Sequence, residues 1–278
     1  MPLYVSSLLK NKFPSIHDAF TKVLNDDLCP IENTRDIWCR DYMPIPVRNN
    51  QFVSFTFTPP YLSGRKYDPV RTTRDEAIAN LENFKIVNSP LIIDGGNVVK
   101  YGCEAIMTEA IYSWNQERSR QEIREQLCHL LKLKKLTVVP PEPGDTFMHA
   151  DGILQIVEPG VIVINSYNNQ TTRTEREFTS KLTKKLHKAG YKTILLPYKP
   201  VNEVKNGIAS AKGLYVNFVR YKKYLFAPIF NQKEDDVALK ILDETFKTCT
   251  VIPIDCRKLA KYGGLLHCTT WGIEDLTV

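Results

Sequence analysis

The feature that most restricts this chain is an order of elements that recurs along it, with the last copy divided between the two ends. One copy runs Trp38–Val47, Gln51–Thr56, a helix near Thr73–Asn83, and Phe84–Val87. The next has strand Leu91–Ile93, a turn at Asp94-Gly95-Gly96, strands Asn97–Tyr101 and Ala105–Thr108, a helix from Ser119 to about Leu131, and strand Leu136–Val139. A third reads Gly152–Val157, Val161–Asn165, a helix Thr174–His187 and Thr193–Leu196. A fourth reads Leu214–Arg220, Tyr224–Pro228, a helix Asp235–Phe246 and Thr250–Ile252. The fifth opens with Leu265–Trp271 at the C-terminus and takes its helix, Ser15–Leu24, from the N-terminus. A module shared by both ends predicts an α/β chain in which five ββαβ units form a closed, propeller-like ring without exposed sheet edges. No Gly-, Ser- or Pro-rich linker interrupts the pattern, so residues 1–278 read as a single domain.

The helices carry their own punctuation. Ser119 with Glu122, Thr174 with Glu177, Thr73 with Glu76 and Ser15 with Asp18 have capping-box spacing. Apolar residues keep the helical period at Ile123, Leu127, Leu130 and Leu131; at Phe178, Leu182 and Leu186; at Val237, Ile241 and Leu242; and at Ile16, Phe20, Val23 and Leu24.

Composition excludes several classes. At 43% hydrophobic and 24% charged, the chain can fill a sizeable core. Its net charge of +6 is mild, and the Lys-rich spots are scattered, so no nucleic-acid strip is expected. No apolar run is long enough to span a membrane. The 7 cysteines include no CxxC pair, which argues against a disulfide framework or zinc ribbon and favours a reducing, cytoplasmic setting. The segment Met1–Val5 lacks the pattern of a signal peptide.

Reactive residue types recur near the start of each copy: Asp41, Asp94, His149 with Asp151, Asn217, and Cys268. They are roughly 50 to 70 residues apart, and equivalent positions in a ring converge at one end of its channel. A Cys and a His oriented by an acid form an activated-nucleophile arrangement. The other six cysteines (Cys29, Cys39, Cys103, Cys128, Cys249 and Cys256) read as core residues, and His17, His129 and His187 as inert surface groups. His267, a strand neighbour of Cys268, is expected to face the other way. Arg40 reads as a structural ion-pair partner.

Five blocks, taken in order, resemble the guanidine-modifying pentein superfamily, closest to its agmatine deiminase and bacterial peptidylarginine deiminase branch. They are Ile37-Trp38-Cys39-Arg40-Asp41-Tyr42-Met43-Pro44, Asp94-Gly95-Gly96-Asn97, His149-Ala150-Asp151-Gly152, Tyr215-Val216-Asn217-Phe218, and Gly263 through Thr270. The resemblance implies the five-bladed pentein fold and a cysteine-dependent hydrolase that releases ammonia from a guanidino compound. It implies Cys268 as nucleophile, His149 as acid then base, Asp94 as the acid that orients His149, and Asp41 and Asp151 as guanidinium acceptors. Trp38 and Asn217 are expected beside the substrate, with Gly95, Gly96, Gly263 and Gly264 allowing close backbone approach. No metal or organic cofactor is implied, and the partner is a small guanidino substrate; a homo-oligomer is compatible. Met43 replaces the family's Gly, Asp94 its Glu, and Leu265 and Leu266 its further glycines. Amidino transfer, free- or peptidyl-arginine deimination, and a non-catalytic guanidino-binding protein are the alternatives.

Overall fold

The computed structural model describes residues 2–48, 50–62, 84–167, 172–205 and 207–272. Five three-stranded sheets share one construction, in which two strands pair antiparallel and a third lies parallel to the middle one. The first contains Ile45–Arg48, Gln51–Thr56 and Lys85–Ile92. The second contains Val99–Tyr101, Glu104–Thr108 and Lys135–Val139. The third and fourth are Leu154–Glu158, Val161–Asn165, Lys192–Leu196 and Val219–Tyr221, Tyr224–Ile229, Thr250–Asp255. The fifth pairs C-terminal Thr270–Gly272 antiparallel with Leu3–Ser6, which runs parallel to Leu28–Ile31. The module divided between the chain ends is therefore present as read.

The construction follows from local chemistry. Four hairpins turn through a residue of positive φ, namely Asn50, Gly102, Gly160 and Lys222, as two-residue turns matched to strand twist require. The middle strands are nearly all buried, with apolar runs at residues 161–164 and 105–107. Among the described residues, a helix precedes the returning strand in four of the modules. Arg120–Leu130 buries Ile123 and Leu127, Arg173–Lys188 buries Phe178, Leu182 and Leu186, and Pro14–Leu24 buries Ile16, Phe20 and Leu24.

Several sequence expectations shift. The capping box at Ser119 and Glu122 is present. The next helix is capped by Thr172 and Glu175 instead, because the same spacing occurs two residues earlier and the helix starts there. Glu177 then takes Arg173 at 2.7 Å. Ser15 lies inside its helix, which begins at Pro14, whose missing N–H costs nothing at a first turn. Helix Glu234–Thr245 turns Ala238 and Leu242 inward and leaves Val237 exposed. Leu91 belongs to the long strand that closes the first sheet and does not open the second. The helix near Thr73–Asn83, with its Thr73 and Glu76, lies outside the described residues. Cys103 is exposed, since it occupies the tip of a hairpin, and Cys29 and Cys128 are only partly buried.

The largest difference concerns the approach to each leading strand. Tight turns come first: Cys39–Tyr42 and residues 266–269 lie where strand was expected, Gly95–Asn97 extends the turn read at Asp94-Gly95-Gly96, and Ala150–Gly152 ends where the strand from Gly152 was expected to start. Each closes with short-range backbone bonds, such as Asn97 N–H to Asp94 O at 3.1 Å and Ile153 N–H to Ala150 O at 2.9 Å. These turns carry the reactive side chains. No helix among the described residues is long and apolar enough to cross a membrane.

Candidate active site

Asp94 and His149 hold the same position in consecutive modules. Each immediately precedes its tight turn, with φ, ψ of −89°, 143° and −86°, 144°. The packing of one turn on the next brings the His149 Nε2 within 3.0 Å of Asp94 Oδ2. The same Asp94 oxygen accepts a hydrogen bond from the Tyr61 hydroxyl. His149 Nδ1 lies 3.5 Å from Asp41 Oδ1, which also accepts the Gly96 N–H at 3.0 Å. A side chain at 96 would bring a Cβ within 2.6 Å of both the imidazole and the Asp41 carboxylate, so only glycine fits.

The second half of the site gathers on Asp151. Its Oδ2 accepts from His267 Nδ1 at 2.7 Å and lies 3.8 Å from Cys268 Sγ. Asn217 faces the same sulfur, its Nδ2 at 3.4 Å and its Oδ1 at 3.5 Å. The Asn217 Oδ1 also accepts the His267 backbone N–H at 3.1 Å, which ties the Cys268 turn to the fourth module. Asp41, Asp94, His149, Asp151, Asn217 and Cys268 therefore meet, although they come from five separate blocks. Trp38 packs its ring on Gly264, where a Cβ would come within 2.5 Å of the indole. It touches the site through that glycine and is not on the cleft wall.

A cleft of about 240 Å³ opens onto Cys268, His149, Asp151 and Asn217. Glu142 lines its wall and accepts from Tyr167 at 2.9 Å and Tyr198 at 2.5 Å. Asp145, also in the wall, accepts the His149 backbone N–H at 3.3 Å.

The electrostatics follow from burying three carboxylates beside two imidazoles. For Asp41, burial, with the like charges of Asp94 and Asp151 added, outweighs the attraction of His149 and pushes the carboxyl up to about 7. Burial opposes a charge on His149, but the Asp41 charge and the Asp94 hydrogen bond outweigh it, and the imidazole is pushed up to about 10. Burial acts against the Asp151 charge too, yet the bond and charge of His267 hold its carboxyl below the ordinary range. His267 itself is lowered, by burial first and then by the Arg40 charge. Burial, then Asp151, then Asp41 raise the Cys268 thiol well above its ordinary value.

Three residues escaped the sequence reading. His267 does not turn away from Cys268, because both sit on a turn and not in a strand; both reach the same Asp151 oxygen. Arg40 forms no direct ion pair with a carboxylate among the described residues, though Asp151 feels its charge; its backbone N–H donates to Cys268 O at 3.2 Å and its Nε to His267 O at 3.4 Å. Tyr61 comes from a loop segment with no periodic signal at all.

The model of the Porphyromonas-type peptidyl-arginine deiminase family matches residues 14–273. A Mycoplasma capricolum protein that carries the agmatine deiminase name is 25% identical, over 84% of this chain and 74% of its own. The agmatine deiminase of Enterococcus faecalis superposes with a TM-score of 0.81 at 16% identity, covering 97% of this chain and 92% of that one. A substrate-bound agmatine deiminase of C. jejuni gives 0.78 at 17% identity, with the same coverage.

Proposed function

Since this chain belongs to the Porphyromonas-type peptidyl-arginine deiminase family, we propose that it is a cysteine-dependent deiminase of a small guanidino compound, with agmatine the first substrate to test. The observation that carries this reading is the meeting of Cys268, His149 and Asp151 at one cleft, with Asp94 and Asp41 set against the two ring nitrogens of His149 behind it. We further read the five modules as a closed ring, whose channel end holds the site, and the whole chain as one domain.

A guanidinium is a planar cation, and two carboxylates set around a thiol can hold it with its central carbon over the sulfur. Asp151 stays ionised at neutral pH, and an entering cation draws Asp41 into its ionised form. Those same two carboxylates raise the Cys268 thiol, so neutralising them removes part of that barrier. The thiol yields its proton to cleft water as the cation binds. The thiolate then attacks the guanidino carbon and forms a C–S bond. His149, already protonated and anchored through Nε2 on Asp94, presents Nδ1 toward Asp41 and delivers its proton to the departing ammonia. The resulting neutral imidazole then takes a proton from the water that attacks the thiouronium carbon. The C–S bond breaks, and a ureido product leaves. Asn217 holds the sulfur in place.

The cleft wall carries Glu142 and Asp145 beside a single Lys212. That balance fits a substrate with a second cationic or hydrogen-bonding end. The test is a panel of guanidino compounds assayed for ammonia and ureido product, beside Cys268→Ala. Turnover of one compound, absent in the variant, is the expected outcome. Turnover surviving in the variant overturns the assignment of the nucleophile. Formation of an amidino-transfer product with an added amine would place the chemistry in the other branch.

A further inference from the structure

A second cavity, of about 160 Å³, lies apart from the cleft that opens onto Cys268, and it shares none of that cleft's lining residues. Its volume is that of roughly five waters. Arg40, Arg48, Lys100 and Arg220 line it, and no Asp or Glu does so among the described residues. Four positive side chains around one concavity repel each other, and an anion relieves that repulsion.

Three of these side chains donate to neutral carbonyls, Lys100 to Val47 O at 3.3 Å among them. Arg220 donates to Val157 O at 3.1 Å and Arg40 to His267 O at 3.4 Å, neutral carbonyls that leave the guanidinium charges standing. Gln155, also in the wall, buries its side-chain nitrogen with no acceptor among the described residues. A buried donor without an acceptor is costly, and it points to something absent from the protein itself. Guanidinium forks and an amide N–H together match the oxygens of a tetrahedral anion.

We propose that this cavity is a binding site for a small multivalent oxyanion of phosphate type, held by Arg40, Arg48, Lys100 and Arg220 with Gln155 as a further donor. The site is separate from the deiminase cleft, and the proposal stands whether or not that chemistry is correct. One side chain, His267, joins the two, since it lines this cavity and bonds Asp151 through Nδ1.

The test is calorimetric titration of the full chain with inorganic phosphate, set against sodium chloride at equal ionic strength. β-Glycerophosphate forms a second arm, which separates a free ion from a phosphoryl group on a carbon stem. Arg48→Gln changes an exposed side chain and Lys100→Gln one at the sheet edge, so both variants are expected to fold, with melting temperature in the absence of phosphate as the check. Saturable phosphate binding, weakened about tenfold in each variant, is expected. Binding of the phosphomonoester with the same loss extends the site to phosphoryl ligands. Heat equal to that of the chloride control, or binding unchanged in both variants, overturns the proposal.

Discussion

The molecule contains two histidine–aspartate pairs at hydrogen-bond distance, one made through Nε2 and the other through Nδ1, of opposite electrostatic character. His149 meets Asp94 at 3.0 Å, and His267 meets Asp151 at 2.7 Å. The imidazole with the longer contact is pushed up to about 10, while the one with the shorter contact is lowered. The hydrogen bond cannot account for this, because it favours the charged form in both. The surroundings decide it. His149 feels Asp41, Asp94 and Asp151, whereas His267 feels one carboxylate and the guanidinium of Arg40. A pair seen in isolation therefore says little about which imidazole holds a proton at neutral pH. In this site, His149 is biased toward its protonated form, while His267 is biased away from it and still donates the hydrogen bond that helps hold Asp151 ionised.

The widest separation between the pairs is expected in turnover. His149→Asn is expected to lower kcat by about 10²–10⁴-fold, the usual worth of a proton donor. His267→Asn acts only through Asp151 and is expected to raise KM, with kcat changing by about tenfold or less. Steady-state kinetics on both variants check this, and equal losses in kcat would erase the distinction.

Protonation offers a finer measurement. The pH profile of kcat/KM is expected to rise through about 7 as Asp41 ionises and to fall near 10 as His149 loses its proton. Arg40→Met removes the cation beside His267, so the NMR-titrated pKa of His267 is expected to rise while the alkaline limb of the profile stays in place. An Arg40→Met chain in which His267 titrates as before would show that burial alone lowers it.

The smallest expected effect is on stability. His149 has a folded pKa above its unfolded value, so its contribution is full below about 6.5 and is lost as pH rises through about 10. The melting temperature is expected to fall by roughly 2–4 °C per pH unit across that window. His149→Gln should flatten the slope there, while His267→Gln should leave it.

Most of the module plan was legible in the chain. A strand such as Val161–Asn165 declares itself through its run of β-branched residues, and the helix at Arg120–Leu130 through its cap and its apolar period. Cys268, His149 and the three aspartates stood out because reactive types recur at the head of successive copies. His267 was misjudged because two-residue alternation holds only in extended backbone, and residues 266–269 form a turn. Tyr61 was invisible for a different reason: its role depends on a loop of the first module reaching Asp94 at the head of the second.

The sequence by itself determined the repeated strand and helix order, the split fifth module and the identity of the reactive groups. Those properties rest on local propensity, hydrophobic period and residue chemistry, all of which act over a few residues. Only the tertiary structure decided which histidine is charged, which nitrogen of His149 faces Asp41, and that four basic side chains surround one cavity. Each of these depends on charges and donors brought together from distant modules. Coulomb interactions in a buried site depend on distance in space, and distance along the chain does not report it.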